Sequence, residues 1–261
     1  MERNRSTKEK KTIASVIKAI EVIEFIAGSE NEVGVTEISN GLNYGVSATY
    51  HLLNTLKECN IVIQNEITKK YSLSLKLWQI GMLAYGQNHI SVVLKPYLEK
   101  LKALTGETAN LTVMDNKQIV YIAQAESNRL VKMFTTIGAT APLHCTAGGK
   151  VLLAFKPKYI RNSILDEIEL IKYTENTIVN KEEFLKELEE VRKQGFAFDN
   201  QEREIGVSCI GAPIFDLNDH AIACITISGP TARFTDENKR KWVNIVLQIA
   251  EEATNHLKTI N

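Results

Sequence analysis

Three apolar segments with helical spacing, followed by two short alternating segments, open this sequence. The first segment predicts a helix whose inward positions recur every three or four residues: Ile13, Val16, Ile17, Ile20, Ile23 and Ala27. Gly28 follows, where such a helix would end. A second, short helix is predicted over TEISNGL, residues 36–42, with Thr36 as a candidate N-cap.

The third helix is predicted to begin at Ser47 and to pack through one apolar face formed by Leu52, Leu53, Leu56 and Cys59. Two strand-like runs, IVIQ at 61–64 and YSLSL at 71–75, flank a polar loop and predict a β-hairpin. Three helices and a hairpin within about 65 residues indicate a winged helix-turn-helix, whose third helix would enter the DNA major groove. The alternative is a small helical packing module that binds nothing.

Residues 75–87, LKLWQIGMLAYGQ, are apolar around much of a helical circumference, so this helix needs partners on several sides. It is predicted to link two domains and to dimerise; packing on the next segment alone is the alternative. Beyond it we predict an α+β domain on a mainly antiparallel sheet. Its elements are a helix at 91–106, strand-like runs at 109–115, 118–124 and 129–138, two or three helices within 147–195, strands at 195–199, 207–216 and 221–228, and a last helix at 236–257.

Composition excludes several classes of function. The 31 Lys and Arg residues balance 31 Asp and Glu residues, so no global field attracts nucleic acid or an anionic membrane. No apolar run approaches the roughly 18 residues of a membrane span, and the start MERNRSTKEKK is too polar for a signal peptide. We therefore expect a cytoplasmic protein with no membrane partner. The four cysteines form no CxxC pair, which predicts buried thiols and neither a structural metal nor a cofactor.

Several blocks in fixed order resemble the IclR family of bacterial transcriptional regulators, from Thr12 onward. They include VTEISNGLNYGVSATYHLLNTLKE, PLHCTAGGKVLLAF and VRKQGFAFDNQEREIGVSCIGAPIFD. The resemblance implies a winged helix-turn-helix over 12–74, a linker and dimerisation helix over 75–88, and a GAF-like effector-binding domain over 89–261. Residues 1–11 would be a flexible tail of net charge +3, from five basic and two acidic residues. Relatives act as homodimers or homotetramers that repress or activate nearby genes.

The resemblance also implies which residues of the recognition helix face double-stranded operator DNA: Ser47, Ala48, Thr49, Tyr50, His51 and Asn54. Gly45 and Val46 stand where many relatives carry proline and lysine. Each missing cation removes a phosphate contact and about one unit of salt slope. Affinity is then expected to depend on the tail and on Lys69 and Lys70 in the wing.

For the effector, the segment HCTAGGK at 144–150 suggests a helix N-terminus whose free N–H groups hold a carboxylate, through Ala147, Gly148 and Gly149. The resemblance adds a polar lining of Asp199, Cys209, Thr226 and Ser228, with apolar walls from Leu130, Met133 and Val207. Thr226 and Ser228 are two residues apart on a predicted strand, so they share a face. These groups suit a small keto or hydroxy acid.

The sequence leaves three alternative functions. An enzyme would use Cys209, His144 and Asp199 as nucleophile, base and orienting group, but no nucleophile elbow, P-loop or HExxH motif supports catalysis. The same residues with Cys145 would form a zinc site. A third candidate keeps the fold as a helix-mediated interaction protein with lost or weak DNA binding. The sequence favours a DNA-binding regulator, more a repressor than an activator, controlled by a small organic acid.

Overall fold

The computed structural model describes residues 12–87 and 89–260. The chain divides into two compact units after Gln87. The tail predicted over residues 1–11 lies outside the described residues. Within the described ranges, no helix is both long enough and apolar enough to cross a membrane.

The first unit contains four helices and one hairpin. In chain order these are α1 (Ala14–Ala27), α2 (Val35–Leu42), α3 (Val46–Glu58), β1 (Val62–Gln64), β2 (Tyr71–Leu73) and α4 (Leu75–Gln87). The two strands pair antiparallel, with Ile63 opposite Ser72. An isolated bridge between Val33 and Tyr71 ties the hairpin to the segment before α2. The helix order and the hairpin are those of a winged helix-turn-helix.

The core of this unit joins all three packed helices to the hairpin: Val22, Ile26, Val33, Ile38, Leu53, Leu56, Val62 and Tyr71. The predicted inward face of α1 was wrong over its first half. Ile13, Val16 and Ile20 are at least half exposed, whereas Val22 and Ile26 are buried. Because α1 is apolar nearly all round, its periodicity alone does not decide which stripe meets α2 and α3.

Both helix starts differ from the predicted ones. Glycine is the N-cap in each case, Gly34 for α2 and Gly45 for α3, so neither Thr36 nor Ser47 caps a helix. At α2, the Glu37 carboxylate accepts the backbone N–H of Gly34 at 2.5 Å, which is the hydrogen bond that the third helical residue contributes to a capping box. Cys59, predicted to be buried, ends α3 and is exposed.

The second unit is an antiparallel sheet with helices on both faces. Its elements are α5 (His89–Thr105), β3 (Thr108–Asp115), β4 (Gln118–Ala125), β5 (Thr140–Pro142), α6 (Ala147–Ala154), α7 (Lys158–Glu167), α8 (Lys181–Gln194), β6 (Ala197–Asn200), β7 (Val207–Phe215), β8 (Ala221–Pro230) and α9 (Asp236–Ile260). The six strands lie in the order β5-β4-β3-β8-β7-β6. The predicted α+β class and antiparallel sheet are confirmed.

The strand-like run at 129–138 forms no strand. Its apolar residues do not alternate strictly, and Leu130, Phe134 and Ile137 are exposed. Gly138, with a positive φ of 90°, turns the chain back so that its N–H donates to the carbonyl of Tyr121. Within residues 129–142, only β5 pairs with β4 as a strand.

Alternation along β8 separates the two faces of the sheet. Ile225 and Ile227 pack against α5 and α9, whereas Cys224 packs against α6 and α8. Thr226 and Ser228 share the side of Cys224, because residues two apart point the same way. The helical layer of α6 and α8 therefore covers a sheet face that carries polar side chains at one end.

We predict that Leu98→Ala lowers the free energy of unfolding by about 2–5 kcal/mol, because it leaves a cavity between α5 and the sheet. Leu98 is fully buried. Urea unfolding, followed through Trp242 fluorescence in a Trp78→Phe background, measures the change. The matched control is Val92→Ala on the same helix, where the side chain is 56% exposed. An equal loss in both variants would contradict the assigned core face of α5.

Candidate functional sites

The outward face of α3 carries the side chains predicted to face DNA, with one exception. Ser47, Ala48, Tyr50 and His51 are exposed, and Asn54 is half-buried. Thr49 is completely buried, and its hydroxyl donates to the carbonyl of Gly45 at 3.1 Å. It shares an inward stripe with Leu53 and Leu56 at positions i, i+4 and i+7, so the placement of Thr49 on the DNA-facing side was wrong.

The hairpin loop holds the two predicted wing lysines differently. Lys69 is exposed, with a positive φ of 58°. Lys70 forms an ion pair of 3.5 Å with Glu37 of α2. The hydrogen bond from Gly34 and then the charge of Lys70 lower the pKa of Glu37. Lys70 is thus partly neutralised, and Lys57, exposed on α3 itself, is a cation that the sequence analysis missed.

A cavity of about 40 Å³ lies between the sheet and the N-terminal end of α6. Eight of the ten residues predicted to contact an effector border it: Met133, Ala147, Gly148, Asp199, Val207, Cys209, Thr226 and Ser228. Leu130 does not, because its side chain is fully exposed on the irregular segment after β4. Seven further lining residues were not predicted from the sequence: Thr112, Ile119, Tyr121, Thr135, Thr146, Arg203 and Glu204.

Strand register lines up the polar wall. Asp199 of β6 is directly opposite Cys209 of β7, which is directly opposite Ser228 of β8. Residues opposite each other in antiparallel strands project to the same face, so a carboxyl, a thiol and a hydroxyl form one row. Thr226 lies one step along, opposite Gly211 and Asn110. Asn110 also donates to the Ser228 hydroxyl at 3.4 Å.

The N-terminus of α6 faces this row across the cavity. Thr146 is the N-cap; its hydroxyl accepts the N–H of Gly149 at 3.2 Å. Gly149 therefore has no free N–H for a ligand, contrary to the prediction. The first-turn N–H groups of Ala147 and Gly148 have no acceptor within the helix, and they remain the donors for an anion.

Asp199 is the most perturbed carboxyl of the cavity. It is 3% exposed, and one oxygen accepts the N–H of Glu202 at 2.8 Å. Burial, helped by the charge of Glu202, raises the pKa of Asp199 from its ordinary 3.8 to about 7, against the backbone hydrogen bond from Glu202 and the charge of Lys150. Asp199 is therefore poised to gain or lose a proton near neutral pH.

The neighbouring thiols are held in their neutral form. Burial raises the pKa of Cys209 well above its ordinary range and that of Cys145 to about 12. A neutral thiol is a poor nucleophile. His144, the base of the enzyme alternative, does not line the cavity; its Nε2 lies 2.9 Å from the carbonyl of Ile171. The three groups of that alternative are thus not assembled for catalysis.

Behind the cavity, a buried ammonium fixes the turn after β6. The Lys150 Nζ atom of α6 lies 2.7 Å from Glu202 Oε1 and 2.8 Å from Glu187 Oε1, with 1% of its side chain exposed. Burial lowers the pKa of Lys150, but the two carboxylates more than compensate, so the pKa is raised. The same Glu202 oxygen accepts the N–H of Asn200 at 3.3 Å. Lys150 thereby holds the backbone that carries Asp199.

Arg203 stands at the edge of the cavity and is exposed. Its guanidinium lies 4.0 Å from the centre of the Tyr173 ring, a cation–π distance. The ring of Tyr173 packs in turn 6.0 Å from that of His144. The charged run QEREIG was the available sequence signal for this turn, but such a run is ordinarily a solvated surface.

Comparisons with known proteins agree with this architecture. Residues 15–66 match the model described as the IclR helix-turn-helix domain, and residues 82–255 match the model described as bacterial transcriptional regulator IclR C-terminal. The HTH-type transcriptional regulator KdgR of Dickeya chrysanthemi is 36% identical over 250 residues, which cover 96% of this chain and 82% of that protein.

Two solved structures show the same fold. The crystal structure of the Thermotoga maritima IclR has a TM-score of 0.77 and 34% identity, over 94% of this chain and 99% of that chain. An IclR homolog from Microbacterium hydrocarbonoxydans, complexed with 4-hydroxybenzoate, has a TM-score of 0.80 at 17% identity, over 93% of this chain and 98% of that one. At that identity the second likeness concerns the fold alone.

A winged helix-turn-helix joined to an α+β unit defines a class of DNA-binding regulators. Within that class, this chain belongs to the IclR family of bacterial transcriptional regulators. It is a transcriptional regulator and not an enzyme.

Asp199→Asn is expected to stabilise the protein more at pH 8 than at pH 5. Because the folded state holds the Asp199 proton more tightly than the unfolded chain, ionisation costs stability, and the cost grows between about pH 4 and pH 7. Melting temperatures of both proteins at the two pH values measure the difference. Asp115→Asn, at the exposed end of β3, is the control, and its change in melting temperature is expected to be the same at both pH values. An equal gain from Asp199→Asn at both would count against the assigned burial.

Proposed function

We propose that this chain is a cytoplasmic repressor whose binding to operator DNA is controlled by a small organic acid in the second unit. One observation carries the proposal: eight residues expected to contact an effector border the same internal cavity. Repression is the direct result of a regulator that occupies DNA needed by the transcription machinery. The effector would change the fraction of protein that is competent to bind the operator.

On the DNA side, the exposed face of α3 would read bases with polar side chains. Asn54 can pair bidentately with adenine, and Tyr50 and His51 can hydrogen-bond to base edges or contact a thymine methyl. Lys57 and Lys69 would bind phosphates, together with Lys70 once it leaves Glu37. Few cations lie on this surface, so the salt dependence of binding should be shallow.

On the effector side, the donor set suits a carboxylate. The N–H groups of Ala147 and Gly148 would hold it at the positive end of α6, and the hydroxyls of Thr226 and Ser228 would bind a keto or hydroxyl oxygen. A cavity of about 40 Å³ has room for about three water molecules, so an acid of a few heavy atoms fits directly. A larger acid, such as the 4-hydroxybenzoate bound by the Microbacterium homolog, would first displace the turn carrying Arg203.

We also propose that the chain works as a homodimer or homotetramer. Two helices of the first unit expose large apolar side chains: Ile13, Val16, Ile17 and Ile20 on α1, and Leu75, Trp78, Ile80 and Leu83 on α4. The α1 residues follow the i, i+3, i+4, i+7 spacing of a helix-packing stripe. Burial of such stripes against a second copy would pair two winged helices, and the effector would act by changing their spacing.

The second candidate is an interaction protein of the same fold with lost or weak DNA binding. Two observations favour it: the predicted recognition face carries neutral side chains, and Lys70 is paired with Glu37. Binding to DNA upstream of its own coding region, measured at several salt concentrations against random duplex, decides between the two. Equal affinity for both duplexes would favour the interaction protein.

Asn54→Ala is expected to weaken operator binding by about 1–3 kcal/mol and to relax the base preference at one base pair, because an amide that reads adenine is lost. Competition binding with single-base operator variants measures both effects. Asn31→Ala, in the loop between α1 and α2, is the matched amide control and should bind as the unaltered chain does. A uniform loss over all base variants would instead assign Asn54 to phosphate contact.

Ser228→Ala is expected to weaken the effector response while operator binding without effector stays nearly unchanged. A thermal-shift screen of small carboxylates, sugar acids and aromatic acids identifies the ligand, because saturation at 100 times the Kd adds about 2.7 kcal/mol of stability. Ser163→Ala on α7, outside the cavity, is the control. No hit in the screen would favour constitutive DNA binding, and loss of operator binding by Ser228→Ala would indicate misfolding.

A further inference from the structure

The cavity would bring two carboxyl groups together. Asp199 forms one wall and the N-terminus of α6 another, so an acid held by the helix lies next to Asp199 in a space of about 40 Å³. Two ionised carboxylates that share a small site with little water repel each other strongly. One of them must therefore be neutral, or a cation must lie between them.

The cations near Asp199 are engaged elsewhere. Lys150 binds Glu202 and Glu187, and the guanidinium of Arg203 stacks on Tyr173. Among the described residues, no salt bridge to Asp199 is found within 4.0 Å. Its neighbours around the cavity are Cys209 on β7, Ser228 on β8 and Tyr121 on β4. All three are neutral at physiological pH, because a serine hydroxyl does not ionise there and burial raises the pKa of the thiol and of the phenol.

The remaining charged and titratable groups belong to the turn after β6 and to the segment that leads into α6. The turn carries Glu202 and Glu204 as well as Arg203, and the segment carries Cys145. Glu202 is next to Asp199 and its own pKa is raised by burial, against the charge of Lys150. The charge of Glu202 thus raises the pKa of Asp199, and the charge of Lys150 lowers it, but Lys150 is bonded to Glu202 and Glu187 and not to Asp199.

We propose that Asp199 binds the effector's carboxylate as a neutral acid, so that each anion enters the cavity together with one proton. The proton comes from solvent, resides on the Asp199 carboxyl and is donated in a hydrogen bond to the ligand oxygen; no covalent bond forms or breaks. This inference rests on the proposed effector site. Its consequence is that the affinity for carboxylates rises as the pH falls.

The raised pKa of Asp199 in the ligand-free protein supports the same conclusion. A pKa of about 7 means that Asp199 is protonated in about half of the molecules at neutral pH, so the proton costs little to add. Asparagine reproduces the neutral acid: its oxygen accepts the N–H of Glu202 and its amide donates to the ligand. Asp199→Asn should therefore bind an anion without taking up a proton.

Acetate is the probe, since it is a bare carboxylate that the cavity can hold without opening, and acetamide is its neutral counterpart. NMR titration of the full chain, followed at the amides of Ala147 and Gly148, gives the Kd of each at pH 8 and pH 9. For the unaltered chain, the Kd of acetate is expected to rise about tenfold over this unit, because one proton is coupled to binding. For Asp199→Asn, the Kd of acetate is expected to stay constant.

The pH window isolates Asp199. Cys145 and Cys209 titrate above it, and burial keeps the pKa of His144 below its usual value. Glu204→Gln, which changes an exposed carboxylate of the same turn at the border of the cavity, serves as a further control, and it should keep the tenfold dependence if Asp199 is the group that takes up the proton. Acetamide should bind with no such increase in affinity towards lower pH.

Four results would overturn the proposal: no acetate binding, acetate binding that is independent of pH, an unchanged pH dependence in Asp199→Asn, or loss of the dependence in Glu204→Gln. Operator binding of the same proteins, measured without acetate, is independent of all four. Failure of the proton coupling is thereby distinguished from failure of the regulatory function.

Discussion

The approach of α6 to the sheet determines the shape of the second unit's cavity. A Cβ atom on Gly149 would lie 2.3 Å from the Leu143 carbonyl oxygen, and one on Gly148 would lie 2.6 Å from the Thr112 hydroxyl. On the sheet side, a Cβ on Gly211 would lie 2.9 Å from the Cys224 sulfur. Gly148 and Gly211 thus let α6 approach the sheet closely, and Gly149 lets the helix pack on the Leu143 backbone that precedes it. The helix N-terminus can then face the polar row of Asp199, Cys209 and Ser228 at short range.

This close packing also explains the buried ion pairs. Lys150 follows the two glycines and enters the interior, where its charge would cost several kcal/mol of desolvation if it were unpaired. Glu202 and Glu187 supply the compensation from the turn after β6 and from α8. The pairing adds positional order more than net stability, since it connects the helix that offers N–H donors to the turn that carries Asp199.

Sequence pattern predicted the helix order, the hairpin and the antiparallel sheet, because each depends on local periodicity. It predicted the wrong buried side for the first half of α1, since that helix is apolar on more than one side. Thr49 was misplaced for a related reason: its position follows the i, i+4, i+7 inward stripe, while its residue type suggests a polar surface. The lining residues Ala147, Asp199 and Ser228 were implied by family resemblance. Tyr121 and Arg203 were missed because strand register and turn geometry bring them there.

The exposure of Cys59 gives the first unit a chemical handle. Of the four thiols, Cys145 and Cys224 are buried, Cys209 is only partly accessible and held neutral, and Cys59 is open to solvent at the end of α3. A thiol-specific fluorophore or spin label should therefore attach at Cys59 in the unaltered sequence. Pairs of labels in an assembled regulator would then report the separation of its two recognition helices directly, with and without ligand.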